Sequence, residues 1–193
     1  AETASMGIQA SLTGHLVFST LHTNDAPSAV TRMVDMGVPN YLVASSVIAV
    51  LAQRLVRVIC SRCKTTWQPS ESILEQAGIT PEMAENAEFS RGVGCNYCNK
   101  SGYRGRIAIF EIMKITMGIR ELIFMNESSV AIRNKAIEEG MTTLYQDGLN
   151  KVLQGVTSLE EVFRIAKKTQ QDEEAEDSDK AANQGGMGAE ISP

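Results

Sequence analysis

The chain has 193 residues, 43% of them hydrophobic, and a formal net charge of −5. That is the length of one ordinary domain, or of one and a half small ones, with enough apolar surface for a real core. Nothing approaches the roughly 18 uncharged apolar residues of a membrane span, and the opening Ala1-Glu2-Thr3-Ala4 lacks the basic and apolar regions of a secretory signal. Residues 170–193 hold seven acids and one lysine, which leaves 17 bases and 16 acids in the other 169 residues. The fold itself is therefore near neutral, and the acidic tail, with almost no apolar anchor, is expected to be disordered.

In chain order, Glu2 to Leu12 reads as a helix with no capping signal before it, which points to a piece of a longer chain. A break at Thr13-Gly14 follows. Leu16-Val17-Phe18-Ser19-Thr20-Leu21 is too short for a helix and suits a strand buried on both sides of a parallel sheet. Asn24 or Asp25 can cap the next helix, with Pro27 in its first turn, and that helix runs to Gly37. A strand leading straight into a helix is one half of an α/β unit.

A second helix is predicted from about Tyr41 to Gln53, then a strand from Arg54 to Ile59. A cysteine-bounded insertion occupies 60–98, with a small helix at Glu71 to Ala77. A strand returns at Arg106 to Ile112. Short helices follow at Gly118 to Met125, Ser129 to Glu139, Thr143 to Leu153 and Leu159 to Lys168, the last with a capping box of Ser158 and Glu161.

All four cysteines fall into two equal spacings, Cys60-x-x-Cys63 and Cys95-x-x-Cys98. Each knuckle brings two thiolates near one point, and two knuckles complete a tetrahedron for a structural zinc. Arg62, Lys64 and Lys100 lie within or beside them and favour the thiolate form. Disulfides lack a secretory signal, and a redox pair would need only one knuckle. No histidine lies in the insert, so an open, catalytic zinc is not expected.

Arg54, Arg57, Arg62, Lys64, Arg91, Lys100, Arg104 and Arg106 surround the knuckles, with no acid in 54–70 or 91–110. Such a cluster fits a nucleic-acid footprint, a docking face for an acidic protein or membrane head groups, or bases that only keep the insert soluble.

His15 and His22 bracket the predicted strand, about 23 Å apart if it is extended, so they cannot share one small site. Ligands of open α/β sheets sit beyond the carboxyl ends of strands. That favours His22, beside Thr23, Asn24 and a helix N-terminus suited to phosphate. His22 would donate to a phosphate oxygen that Thr23 helps position, although a lone histidine at a strand end is also consistent with a purely structural role.

The stretch Leu12-Thr13-Gly14-His15-Leu16-Val17-Phe18-Ser19-Thr20-Leu21-His22-Thr23-Asn24-Asp25-Ala26 resembles the histidine box of the secretion ATPase superfamily, the motors of type II secretion and type IV pilus assembly. Ala52-Gln53-Arg54-Leu55-Val56-Arg57, the two knuckles, Gly102-Tyr103-Arg104-Gly105-Arg106 with Glu111, Gly140-Met141-Thr142-Thr143-Leu144 and Gly155 to Val162 follow in the family's order. The similarity covers about residues 1–168.

The resemblance implies an α/β fold, the C-terminal part of a RecA-like P-loop ATPase core with an inserted zinc subdomain. Its parts would be 1–59 (core with histidine box), 60–98 (zinc insert), 99–168 (rest of the core and C-terminal helices) and 169–193 (acidic tail). It implies a cytoplasmic hexameric ring at the inner membrane that hydrolyses ATP with magnesium. A platform protein and a recruiting membrane protein would be its partners, and nucleic acid would not. His22 matches the catalytic position facing the γ-phosphate, and His22, Thr23 and Arg54 would face nucleotide. The cysteine insert resembles that of assembly and secretion motors rather than retraction motors. No G-x-x-x-x-G-K-[ST] occurs in the 193 residues, nor does the acidic strand end that helps hold magnesium. ATP hydrolysis is therefore expected of the complete protein and not of these residues alone. The other reading is a zinc-containing binding or regulatory module without catalysis.

Overall fold

The computed structural model describes residues 2–166, so the acidic tail and the end of the last predicted helix lie outside the described residues. The chain forms two compact units. The first joins Ala1–Leu55 to Ala108–Asp147, and the second joins Val56–Ile107 to the chain from Gly148 onward. Two long strands, β1 (Ala49–Ile59) and β4 (Tyr103–Lys114), form a two-stranded sheet and contribute residues to both units.

In the first unit, α1 (Glu2–Leu12), α2 (Ala26–Asp35), α3 (Asn40–Ser46), α6 (Met117–Phe124) and α7 (Ser129–Glu138) pack with the strands around Ile8, Val30, Val43, Met113, Ile119, Ile123 and Ile132. Asp25 caps α2 by accepting from Ser28 N–H at 2.8 Å, and Pro27 sits in the first turn, as their residue types require. Thr116 and Ser128 cap α6 and α7 in the same way. The end of β4 alternates: Ile109, Glu111 and Met113 are buried, and Phe110, Ile112 and Lys114 are exposed. Glu111 therefore points its acid into the apolar side, at 1% exposure. Its Oε1 accepts from Ala26 N–H at 2.8 Å and its Oε2 from Leu144 N–H at 3.3 Å, with Arg133 at 3.8 Å.

In the second unit, β2 (Lys64–Thr66) pairs antiparallel with β3 (Ser90–Gly92), Thr65 opposite Arg91. Between them lie α4 (Glu71–Ala77), at the predicted bounds, and α5 (Pro81–Glu85). The chain returns to this unit within α8 (Leu144–Leu153) and ends the described residues with α9 (Leu159–Ile165). Glu161 on α9 is 1% exposed. It accepts from the Arg57 backbone at 2.9 Å, the Arg57 guanidinium at 2.6 Å and Arg164 Nε at 2.8 Å.

Three sequence expectations are corrected. Residues 16–21 form no strand, and Leu16 and Phe18 are 72% and 87% exposed. An interior strand of a parallel sheet needs a hydrogen-bonded neighbour on each edge and helices over both faces, and none of the described strands pairs with residues 16–21. The second helix stops at Ser46, and β1 begins at Ala49. Ser45-Ser46 leads into the β-branched Val47, Ile48 and Val50, which favour a pleated surface over a helix. The capping box before α9 does not close. Ser158 Oγ instead meets the Tyr103 hydroxyl at 2.7 Å, and Glu161 turns to Arg57 and Arg164.

Burial of Glu161 opposes its charge, yet hydrogen bonds from Arg164 and Arg57 outweigh it and hold the carboxyl down to about 2. A folded-state value below the ordinary one near 4.5 stabilises the fold fully above that pH, and this stabilisation is lost as pH falls toward about 2. Unfolding free energy measured against pH should therefore drop more steeply across this window for the parent than for Glu161→Gln. Parallel curves would show that Glu161 is not linked to folding.

Candidate functional site

The first candidate centre is the cysteine cluster. Cys60 ends the strand run of β1, and the backbone turns so that Cys63 N–H reaches the Cys60 carbonyl at 3.1 Å. The second knuckle is a short 3₁₀ turn, Asn96–Cys98, closed by Asn99 and Lys100 in the left-handed region at φ 50° and 62°. That turn lets Lys100 N–H reach the Cys95 carbonyl at 2.8 Å.

The knuckles meet: all four Sγ atoms lie within 4.8 Å of one another. Cys60 to Cys95 is 3.9 Å, Cys63 to Cys98 is 3.8 Å and Cys95 to Cys98 is 3.7 Å, and all four are free thiols. A zinc tetrahedron with Zn–S bonds of about 2.3 Å has S···S edges of about 3.8 Å. The donor set and its spacing therefore fit that ion. Cys98 Sγ also accepts from the N–H groups of Cys95 at 3.2 Å and Gly102 at 3.3 Å, the outer hydrogen bonds that hold thiolate ligands in place. Burial pushes the Cys63 thiol up to about 12, whereas the Cys95 N–H, against burial and helped by Gly102, pulls Cys98 down to about 6.

The knuckles come this close because two backbones touch. Cys60 N–H donates to the Gly102 carbonyl at 2.9 Å, and a Cβ on Gly92 would lie 2.0 Å from that same oxygen. Gly102 has φ +78°, and a Cβ there would meet the Gly92 carbonyl at 2.5 Å.

The second candidate centre is the loop before α2, in the first unit. Arg54 on β1 donates to Asn24 Oδ1 at 2.8 Å, and Thr23 Oγ1 to the Asp25 carbonyl at 3.2 Å. His22 is exposed and makes no hydrogen bond among the described residues. His15 is held locally, its Nδ1 3.0 Å from Thr13 Oγ1. The structure thus brings Arg54 to the segment that carries His22 and Thr23. The N-terminus of α2 is already engaged: Glu111 takes Ala26 N–H, and Asp25 takes Ser28 N–H. Asp25 Oδ2 in turn meets Arg133 at 2.8 Å. The polar groups left facing outward here are side chains.

A family model described as "Type II/IV secretion system protein" matches residues 1–164. The chain belongs to this family. Over 165 residues it is 46% identical to the type IV pilus assembly ATPase PilB of Myxococcus xanthus, covering 83% of this chain and 29% of that protein. Over 169 residues it is 46% identical to the type II secretion system ATPase E of Vibrio cholerae, covering 87% and 33%. Among solved structures, the pilus retraction motor PilT with bound ADP aligns at TM-score 0.57 and 21% identity, over 88% of this chain and 38% of that one. The DotB ATPase of Legionella pneumophila aligns at 0.53 and 19%, over 86% and 35%. These two likenesses support the α/β P-loop ATPase fold read from the sequence. This type II/IV secretion family chain spans about a third or less of the curated relatives it matches.

Sequence reasoning missed two parts of these sites. One is the grouping of Glu111, already noted in a family stretch, and of Asp25, already noted as a cap, with Arg133; its signal was an acid on the buried face of an alternating strand. The other is the ring of Tyr97, which has guanidinium carbons of Arg62 and Arg104 each 3.9 Å from its centroid. No helix among the described residues is long and apolar enough to cross a membrane.

Substituting Gly92→Ala places a methyl group against a backbone oxygen that cannot rotate away. The expected loss is about 1–3 kcal/mol of stability, read as a lower denaturation midpoint of the metal-loaded chain. An unchanged midpoint would mean that the two backbones are not in contact.

Proposed function

We propose that this chain is part of a hexameric cytoplasmic motor, bound at the inner membrane, that hydrolyses ATP to drive type II secretion or type IV pilus assembly. The observation that carries this reading is the family match over residues 1–164, together with 46% identity to named assembly and secretion ATPases. The tetrathiol cluster supports assembly or secretion rather than retraction. A platform protein and a recruiting protein of the membrane would receive the motion.

In this reading His22 faces the γ-phosphate as the catalytic histidine, and Thr23 and Arg54 help hold the nucleotide. The Asn24 contact of Arg54 supports the grouping, because it keeps a guanidinium beside the loop that bears His22. The phosphate-binding loop and the acid for magnesium belong to other parts of the complete protein, and residues 1–193 alone do not turn over ATP. The bare Leu16 and Phe18 agree with this, since their segment needs strands that the described residues do not supply. The four cysteines hold one structural zinc that fixes the second unit and leaves no open coordination position.

Metal analysis of the purified chain should find one zinc per chain. Cys60→Ser should lose it and melt far lower, since structural zinc contributes of order 10 kcal/mol in small zinc peptides. Unchanged metal content and melting temperature would refute the zinc centre.

For the motor, residues 1–165 can replace the matched part of the Myxococcus xanthus ATPase. The chimera should hydrolyse ATP, with His22→Ala lowering turnover much more than His15→Ala. Equal losses would remove His22 from the catalytic role, and a folded, ring-forming chimera without turnover would overturn the motor reading.

A further inference from the structure

Glu111 serves two helix starts with one carboxylate. Its Oε1 accepts from Ala26, the first residue of α2, at 2.8 Å, and its Oε2 from Leu144, the first residue of α8, at 3.3 Å. Each is an N–H that its own helix cannot satisfy. Arg133 on α7 joins this acid to the residue just before α2. One guanidinium nitrogen lies 3.8 Å from Glu111 Oε2, and the other meets Asp25 Oδ2 at 2.8 Å. Asp25 uses its remaining oxygen to accept from Ser28 N–H at 2.8 Å. All of these residues belong to the first unit. The planar fork of an arginine can serve two acids at once, which the single ammonium of a lysine does less well.

The loop before α2 takes its position from this point. Thr23 Oγ1 donates to the Asp25 carbonyl at 3.2 Å, whereas His22 makes no hydrogen bond among the described residues. His22 lies three residues from Asp25, at most about 11 Å of chain. A shift at Asp25 is therefore carried directly to the imidazole. Misplacing a reacting group by 1 Å can cost roughly a hundredfold in rate.

We propose that Arg133 is a positioning residue of the motor: it sets where the His22 segment ends and so governs turnover rather than nucleotide affinity. This rests on the reading in which His22 faces the γ-phosphate. In that reading the phosphate-binding loop, which holds the nucleotide, lies in another part of the complete protein. Loss of Arg133 then lowers kcat and leaves KM nearly unchanged. Glu111 acts through the same link, but at 1% exposure its removal would leave two amides unpaired in the core. Arg133→Gln leaves both acids their N–H partners and is the cleaner probe.

The test is steady-state ATPase kinetics in the chimera carrying residues 1–165, comparing the parent with R133Q, R133K, D25N, R133Q/D25N and R120Q. Arg120 is the control for a purely structural arginine, since it donates to the Ala44 and Ile115 carbonyls at 2.8 and 3.3 Å and not to the loop. R133Q should lower kcat about tenfold or more with KM within about twofold, and R133K should recover part of the loss. Because Arg133 acts through Asp25, R133Q/D25N should be no slower than R133Q alone. R120Q should melt lower yet keep the parent kcat. In the full metal-loaded chain, R133Q should speed hydrogen exchange at Ala26 and Ser28 and leave the amides of the cysteine unit unchanged. Parent kcat in R133Q, a loss confined to KM, additive losses with D25N, the same kcat loss in R120Q, or unchanged exchange at Ala26 and Ser28 would each overturn the proposal and leave the motor reading standing. If R133Q does not fold, parent kcat in both R133K and D25N overturns it. A folded parent chimera without turnover would overturn both.

Discussion

The first unit depends on one buried carboxylate. Glu111 occupies a position in β4 where strand alternation puts Ile109 and Met113, and at 1% exposure it has no water to solvate it. A charge in that place is tolerated only if fully hydrogen-bonded. Its partners are the first N–H of α2, the N–H of Leu144 and, further off, Arg133. Because α2 must start against that oxygen, the loop that ends at Asp25 is pinned at its last residue. Arg133 closes the arrangement by meeting Asp25 at 2.8 Å. The position of the His22 loop thus follows from a strand residue 85 positions from Ala26.

The same constraint shapes what the loop can do. A free helix N-terminus is an anion site because its N–H groups lack partners. Here two acids already supply those partners, so α2 contributes little to holding a phosphate. In the proposed motor that role would fall to side chains, and Arg54 is held to this loop through Asn24 at 2.8 Å. The guanidinium is held at Asn24, two residues along the chain from the exposed His22.

How legible these centres were in the sequence follows from how local their causes are. The tetrathiol cluster could be read because each knuckle is a four-residue event, and four cysteines leave few ways to satisfy themselves. Its tightness could not: the Gly92 and Gly102 backbones approach from different parts of the insert, and only space, not spacing, shows it. α2 was legible because Asp25 and Pro27 act within one turn, and α4 because Gly78 ends it in the left-handed region at φ 67°. Residues 47–53 were misread because Val and Ala suit either a buried helix or a strand. The pairing with β4 decides between them. Ser158 and Glu161 carried the right pattern for a capping box, but Tyr103 and Arg57 outcompeted the local bonds.

The segment 16–21 shows where the physical argument changes level. Its pattern reads as doubly buried apolar backbone, yet Leu16 and Phe18 are exposed and no strand forms. What a strand requires in addition is a partner for every N–H and carbonyl on both edges. That requirement is met by other strands, not by the segment's own side chains. The sheets of the described residues pair β1 with β4 and β2 with β3 and offer none to it. By contrast, the cysteine unit carries its determinants within itself: thiols, turns and the clamp of Glu161 all come from residues that fold beside one another. The cysteine unit thus specifies its structure by chemistry it contains, whereas the pattern of 16–21 calls for strand neighbours that the described residues do not provide.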